Sequence, residues 1–117
     1  MKKNFDVELL EEARVFLESL GNKERNKILY NIRKAQYIND NELFKKLNDH
    51  IWEFRTLYNA KAYRLFAFWD KTTVNNTVVI STHGILKKTQ KTPTKEIEKA
   101  ENTRNEYLKN KGDEKRK

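Results

Sequence analysis

Between Ile51 and His83 polar and apolar residues alternate in three runs set apart by short polar connections. Side chains two apart on a strand share a face, so this period commits the middle of the chain to a sheet. Ile51 to Tyr58 places Trp52, Phe54 and Tyr58 on one side and Ile51, Glu53, Arg55 and Leu57 on the other. Ala62 to Trp69 sets Tyr63, Leu65, Ala67 and Trp69 against Ala62, Arg64, Phe66 and Phe68. Asn59-Ala60-Lys61 leaves room only for a tight turn, so these two strands pair antiparallel. Thr77 to His83 supplies the third run, reached through the polar turn Lys71 to Asn76.

The flanks read differently. Asn4 to Leu9 alternates with Phe5, Val7 and Leu9 on one side, which predicts a short strand before a helix starting near Glu11. Glu11 and Glu12 suit the first turn of that helix, and Gly21 is expected to end it. Asn22 is expected to cap a second helix with Ile28, Leu29, Ile32 and Ala35 on its buried stripe, fading near Asn39-Asp40-Asn41. The two helices form a hairpin. At the far end, Thr92 and Pro93 read as cap and first position of a last helix, whose narrow stripe is Ile97, Ala100, Arg104, Tyr107 and Leu108. Gly112 to Lys117 has no apolar residue and is expected to be a disordered basic tail. The expectation is therefore an α+β fold, one domain over residues 1–111, with a mostly antiparallel four-stranded sheet between a helical hairpin and a C-terminal helix.

Charge narrows the function. The net charge is +8, and residues 47–92 carry 7 basic against 3 acidic groups, so the excess gathers around the sheet. A surface of that kind concentrates phosphate-bearing partners. With no cysteine and two histidines, thiolate sites are excluded and a metal centre is not expected. No apolar run is long enough to span a membrane, and the expected compartment is the cytoplasm. Glu53 and Arg55 project together, with Arg64 across the turn from them. Such a set forms either a structural ion pair or a phosphate-holding cleft. Strand end, glycine and basic residues then meet in Ile80-Ser-Thr-His83-Gly84-Ile-Leu-Lys87-Lys88-Thr-Gln-Lys91-Thr-Pro93. Cleaving a phosphodiester requires cations on the phosphate and groups that move protons. Arg55, Arg64, Glu53 and His83 are the candidates for that chemistry, and Lys61, Lys87, Lys88 and Lys91 for holding RNA. His50 is read as structural.

Three words of this sequence, Ile51-Trp52-Glu53-Phe54-Arg55, Tyr63-Arg64-Leu65-Phe66 and His83-Gly84-Ile85-Leu86-Lys87-Lys88-Thr89-Gln90-Lys91-Thr92-Pro93, carry a resemblance. Over residues 3 to about 108 the chain resembles the RelE/HigB superfamily of toxins from toxin–antitoxin pairs, most closely its phage-derived, host-killing branch. The resemblance implies a ribosome-dependent endoribonuclease that cleaves mRNA without a cofactor, silenced by a helix-turn-helix antitoxin. It places Arg55 and Arg64 as sheet-face cations and Lys87 and Lys88 as basic residues after the glycine. Some members carry lysine where this chain has Glu53, which leaves open whether Glu53 is a base or orients an arginine. The same scaffold serves toxins that inhibit DNA gyrase and cleave nothing, so that reading and a plain nucleic-acid-binding module stand as alternatives.

Overall fold

A strand whose two sides are both apolar needs a cover on each, and this sheet is covered unequally. The computed structural model describes residues 2–72, 77–88 and 91–115, with side chains through Gly112. Its elements are β1 (Asp6–Leu9), α1 (Glu11–Glu18), α2 (Asn22–Tyr37), β2 (Phe44–Lys46), β3 (Trp52–Tyr58), β4 (Lys61–Asp70), β5 (Val78–Lys87) and α3 (Thr94–Lys115). The sheet has five strands in the order β1-β5-β4-β3-β2. β1 runs parallel to β5 and the other three pairings are antiparallel. The expected four-stranded sheet thus gains β2, a three-residue strand pairing Phe44, Lys45 and Lys46 with Phe54, Glu53 and Trp52. One apolar residue followed by two lysines gives no alternation to detect.

The hairpin of α1 and α2 covers one face. Ala13, Leu17, Ile28, Ile32 and Ala35 pack on Phe5, Phe44, Phe54, Tyr63, Leu65, Ala67 and Val79. Leu29, expected on the buried stripe, is 38% exposed. α1 ends at Glu18 rather than at Gly21, and Gly21 takes an extended conformation as the N-cap of α2. Asn22 is consequently the first helical residue and not the cap. Between β3 and β4, Asn59 and Ala60 both have positive φ, 51° and 62°. Such a two-residue turn matches the twist of an antiparallel pair, and placing alanine there costs roughly 1–2 kcal/mol.

Ile51, Phe66, Phe68, Ile80 and Ala100 form the smaller core under α3, with Ile97 and Tyr107 at its margin. A fully buried Phe side chain contributes about 1.5–3 kcal/mol, and among the described side chains of α3 only Ala100 is buried outright. α3 is therefore tied down largely by polar anchors. Asp70 takes hydrogen bonds from the Thr72 hydroxyl (2.6 Å) and the Tyr107 hydroxyl (2.7 Å), with Lys111 Nζ at 3.3 Å. Burial alone would raise the Asp70 carboxyl, but the bonds from Thr72, Tyr107 and Lys111 hold it well below the usual carboxylate range.

α3 starts at Thr94, with the Pro93 carbonyl accepting from Glu96 N at 3.0 Å. It continues through Gly112 to Lys115, into the stretch expected to be a tail, while Arg116 and Lys117 lie outside the described residues. β5 also runs on past Gly84, so Lys87 belongs to a strand and only Lys88 to Pro93 form the connection. Of the expected turns, residues 73–76 and 89–90 lie outside the described ones. Among the described residues no helix is long and apolar enough to cross a membrane.

Candidate functional site

The face beneath the start of α3 collects nearly every charged side chain that the sheet buries. Arg55 and Arg64 are direct cross-strand partners, and Glu53 lies diagonal to Arg64. Glu53 Oε1 sits 2.7 Å from Arg64 Nε, although the N–H points off that line. Glu53 and Arg64 are 2% and 7% exposed, so the pair is desolvated. Burial, offset in part by Glu53, lowers the Arg64 guanidinium from its ordinary value. Arg64 Nη1 donates to the Tyr63 carbonyl at 3.1 Å, and half-buried Arg55 donates to the Asn41 carbonyl at 3.3 Å. Like charges side by side repel, and the one carboxylate is paired with Arg64 alone, so positive potential remains on this face.

Lys87, opposite Ala62, completes that charge. Burial first and then Arg64 push its ammonium down, with Arg55 and Lys45 acting the same way. Lys45, on β2 directly opposite Glu53, is a member that sequence reasoning missed, because β2 itself was not visible. Lys88 and Lys91 are exposed on the connection beyond. Lys61 pairs with Tyr58 and lines a cleft with Leu20, Gly21 and Glu24 on the hairpin side, away from Arg64.

His83 reaches this face through an irregularity. Phe66 pairs with His83 but Ala67 pairs with Ser81, leaving Thr82 as the extra residue of a β-bulge. Strict alternation would put His83 on the side of Val79, and the bulge turns it to the side of Ile80 and Arg64. Its ring stacks on Phe66 with centroids 4.9 Å apart. Nδ1 lies 2.9 Å from the Thr82 hydroxyl, and Nε2 is 3.4 Å from Glu96 Oε1. Burial, then the charge of Lys99, lowers the imidazole below its ordinary value against the pull of Glu96 and Glu12. His83 is diagonal to Arg64, about 7–8 Å between backbones. From Glu53 it is two strands away, about 10 Å, with Phe66 between.

The start of α3 closes the cluster. The Thr92 hydroxyl, expected to cap the helix, instead donates to Glu53 Oε2 at 3.2 Å, and Glu96 faces His83. Gly84 turns its back on this face, and a Cβ there would run into the Phe16 ring of α1. The remaining opening toward His83 is lined by Glu11, Glu12 and Lys99. Among the described residues no group of three or more His, Cys, Asp or Glu side chains could hold a metal ion.

A mixed five-stranded sheet with a helical hairpin behind it and a buried cation–carboxylate cluster under a terminal helix defines a single-sheet α+β protein. The chain belongs to the phage-derived Gp49-like proteins, a family of the RelE/ParE-like toxin superfamily, whose family model matches residues 15–105. That match takes in Arg55, Arg64, His83, Lys87 and the first half of α3. No curated protein matches the chain.

Proposed function

We propose that this chain is the toxin of a toxin–antitoxin pair, a ribosome-dependent endoribonuclease that cleaves mRNA in the cytoplasm and is silenced by a helix-turn-helix antitoxin. The observation that carries the reading is the gathering of Arg55, Arg64 and Lys87 with Glu53 and His83 on one sheet face. A phosphate between Arg64 and His83 would meet two guanidinium forks, whose parallel donors match its oxygens. The RNA 2′-hydroxyl attacks phosphorus and gives its proton to neutral His83. The bond from phosphorus to the 5′-oxygen breaks, and that oxygen takes a proton from Lys87, whose lowered pKa makes its ammonium a better acid. The products are a cyclic phosphate and a 5′-hydroxyl. Glu53, already engaged by Arg64 and Thr92, orients Arg64 and is not the base.

RNA reaches this face only after the first turn of α3 lifts, breaking the Thr92–Glu53 and Glu96–His83 contacts. Ribosomes translating a defined message test the reading. Wild-type protein should cut the message, and Arg55→Ala and Lys87→Ala should each cut at least about a hundredfold more slowly with unchanged unfolding midpoints. Intact message in the presence of wild-type protein would rule the enzyme out. Arrest of gyrase supercoiling by the same preparation would then favour the gyrase-inhibiting alternative.

A further inference from the structure

β3 begins at Trp52, opposite Ala67, so among the described residues the last three of β4 have β5 on one side and no strand on the other. A cavity of about 780 Å³ opens in that gap, between the β2–β3 connection and the second half of α3. Its walls are Trp52, Trp69 and Leu108, and Lys46, Lys71 and Arg104 stand around it, with Asp49 as the acidic group. The two indoles lie 5.8 Å apart, edge to face. Phe44 stacks on Trp52 from within, at 4.8 Å, and Phe5 braces Trp69 at 5.2 Å. Both tryptophans are thus held rigidly while remaining half-buried. Lys46 and Lys71 are exposed and Arg104 is half-buried. None of the three has a carboxylate partner among the described residues. His50, which the sequence suggested was structural, also lines the cavity.

Unpaired cations around a rigid aromatic wall are complementary to a ligand that is flat at one end and anionic at the other. We infer that this cavity is a second nucleic-acid site that receives an unpaired base of single-stranded RNA on Trp52 or Trp69 and its phosphates on Lys46, Lys71 and Arg104. Stacking on an aromatic ring is available to any base, so the site holds the strand without reading its sequence. Arg104 is eight residues beyond Glu96 on α3, about 12 Å along the helix axis. One strand following α3 therefore passes from the cavity to the covered cluster, although occupancy of the cavity does not depend on cleavage.

Trp52 and Trp69 are the only tryptophans in the chain, so its indole emission reports on this cavity directly. Wild-type protein titrated with a 2′-O-methylated, cleavage-resistant hexanucleotide should show saturable quenching. The logarithm of the association constant should fall with that of salt with a slope of about −2, the value for three phosphate contacts on a single strand. Lys71→Glu with Arg104→Glu should weaken binding at least tenfold at an unchanged unfolding midpoint. Lys23→Ala, which removes an exposed cation of α2 outside the cavity, should change it less than twofold. Inorganic phosphate at the same concentration should not compete. Absence of quenching, quenching that survives the double charge reversal, loss of quenching in Lys23→Ala, or equal competition by phosphate would each overturn the assignment. Failure of mRNA cleavage alongside intact hexanucleotide binding would count against the proposed enzyme and leave this site standing.

Discussion

Three of the charged residues on the covered face follow from strand alternation alone, because Glu53, Arg55 and Arg64 obey it. His83 does not, since the Thr82 bulge changes its side, and no residue type at Ser81-Thr82 announces a bulge. Burial alters what a substitution here measures. Removing one partner of a desolvated ion pair leaves the other charge uncompensated and costs about 3–5 kcal/mol. Arg64→Ala is therefore expected to lose that much stability, as is Glu53→Gln to a smaller degree. The double variant should be more stable than the sum of the two, by an interaction energy of roughly 0.5–3 kcal/mol. Urea unfolding of the three variants checks it. Simple additivity would show that the 2.7 Å contact contributes no net stability. This is why Arg55 and Lys87, both only half-buried, are the better probes of chemistry.

Element boundaries were legible where a chemical break coincides with a geometric one, as between β3 and β4, and hidden where the break lies in pairing. The sequence pattern ends this strand at His83, before Gly84, because glycine punctuates loops. Here it serves close approach to Phe16 instead, and the strand carries Lys87 into the sheet. α3 shows the converse. Its apolar stripe was correctly read as narrow, but nothing in the stripe points to Asp70 as the anchor. Asp70→Asn should cost about 1–3 kcal/mol by loosening Tyr107 and Lys111. Because the native carboxyl titrates below the unfolded value of about 3.9, its contribution is full above that pH. It fades as pH falls below that value toward the native one. The gap in stability between wild type and variant should accordingly hold from pH 7 to about 4 and shrink below. A gap that grew on acidification would show the carboxyl is not stabilised by those bonds.

At the scale of the whole molecule, the positive charge that first suggested a polyanion turns out to be divided. One part is desolvated beneath the first turn of α3, and the other stands open around the tryptophan cavity at that helix's second half. α3 bridges the two, and its ends are held differently. Beyond its first turn the helix buries Ala100 and is bound to Asp70 by the 2.7 Å Tyr107 hydrogen bond and the 3.3 Å Lys111 ion pair, while the first turn is held by a 3.2 Å bond to Glu53 and a 3.4 Å contact to His83. Local opening draws on the least-packed parts of a fold. The first turn should therefore open while the rest of the helix stays closed. Amide hydrogen exchange tests this directly, because Glu96 and Ile97 N–H groups both bond the Pro93 carbonyl. They should exchange about tenfold or more faster than the amides around Tyr107, at denaturant concentrations far below the unfolding midpoint. Addition of the cleavage-resistant oligonucleotide should speed them further, since a strand seated on Arg55 and Arg64 displaces Thr92 and Glu96. If these amides exchange only by global unfolding, with or without oligonucleotide, RNA has no route to the sheet face and chemistry there is excluded.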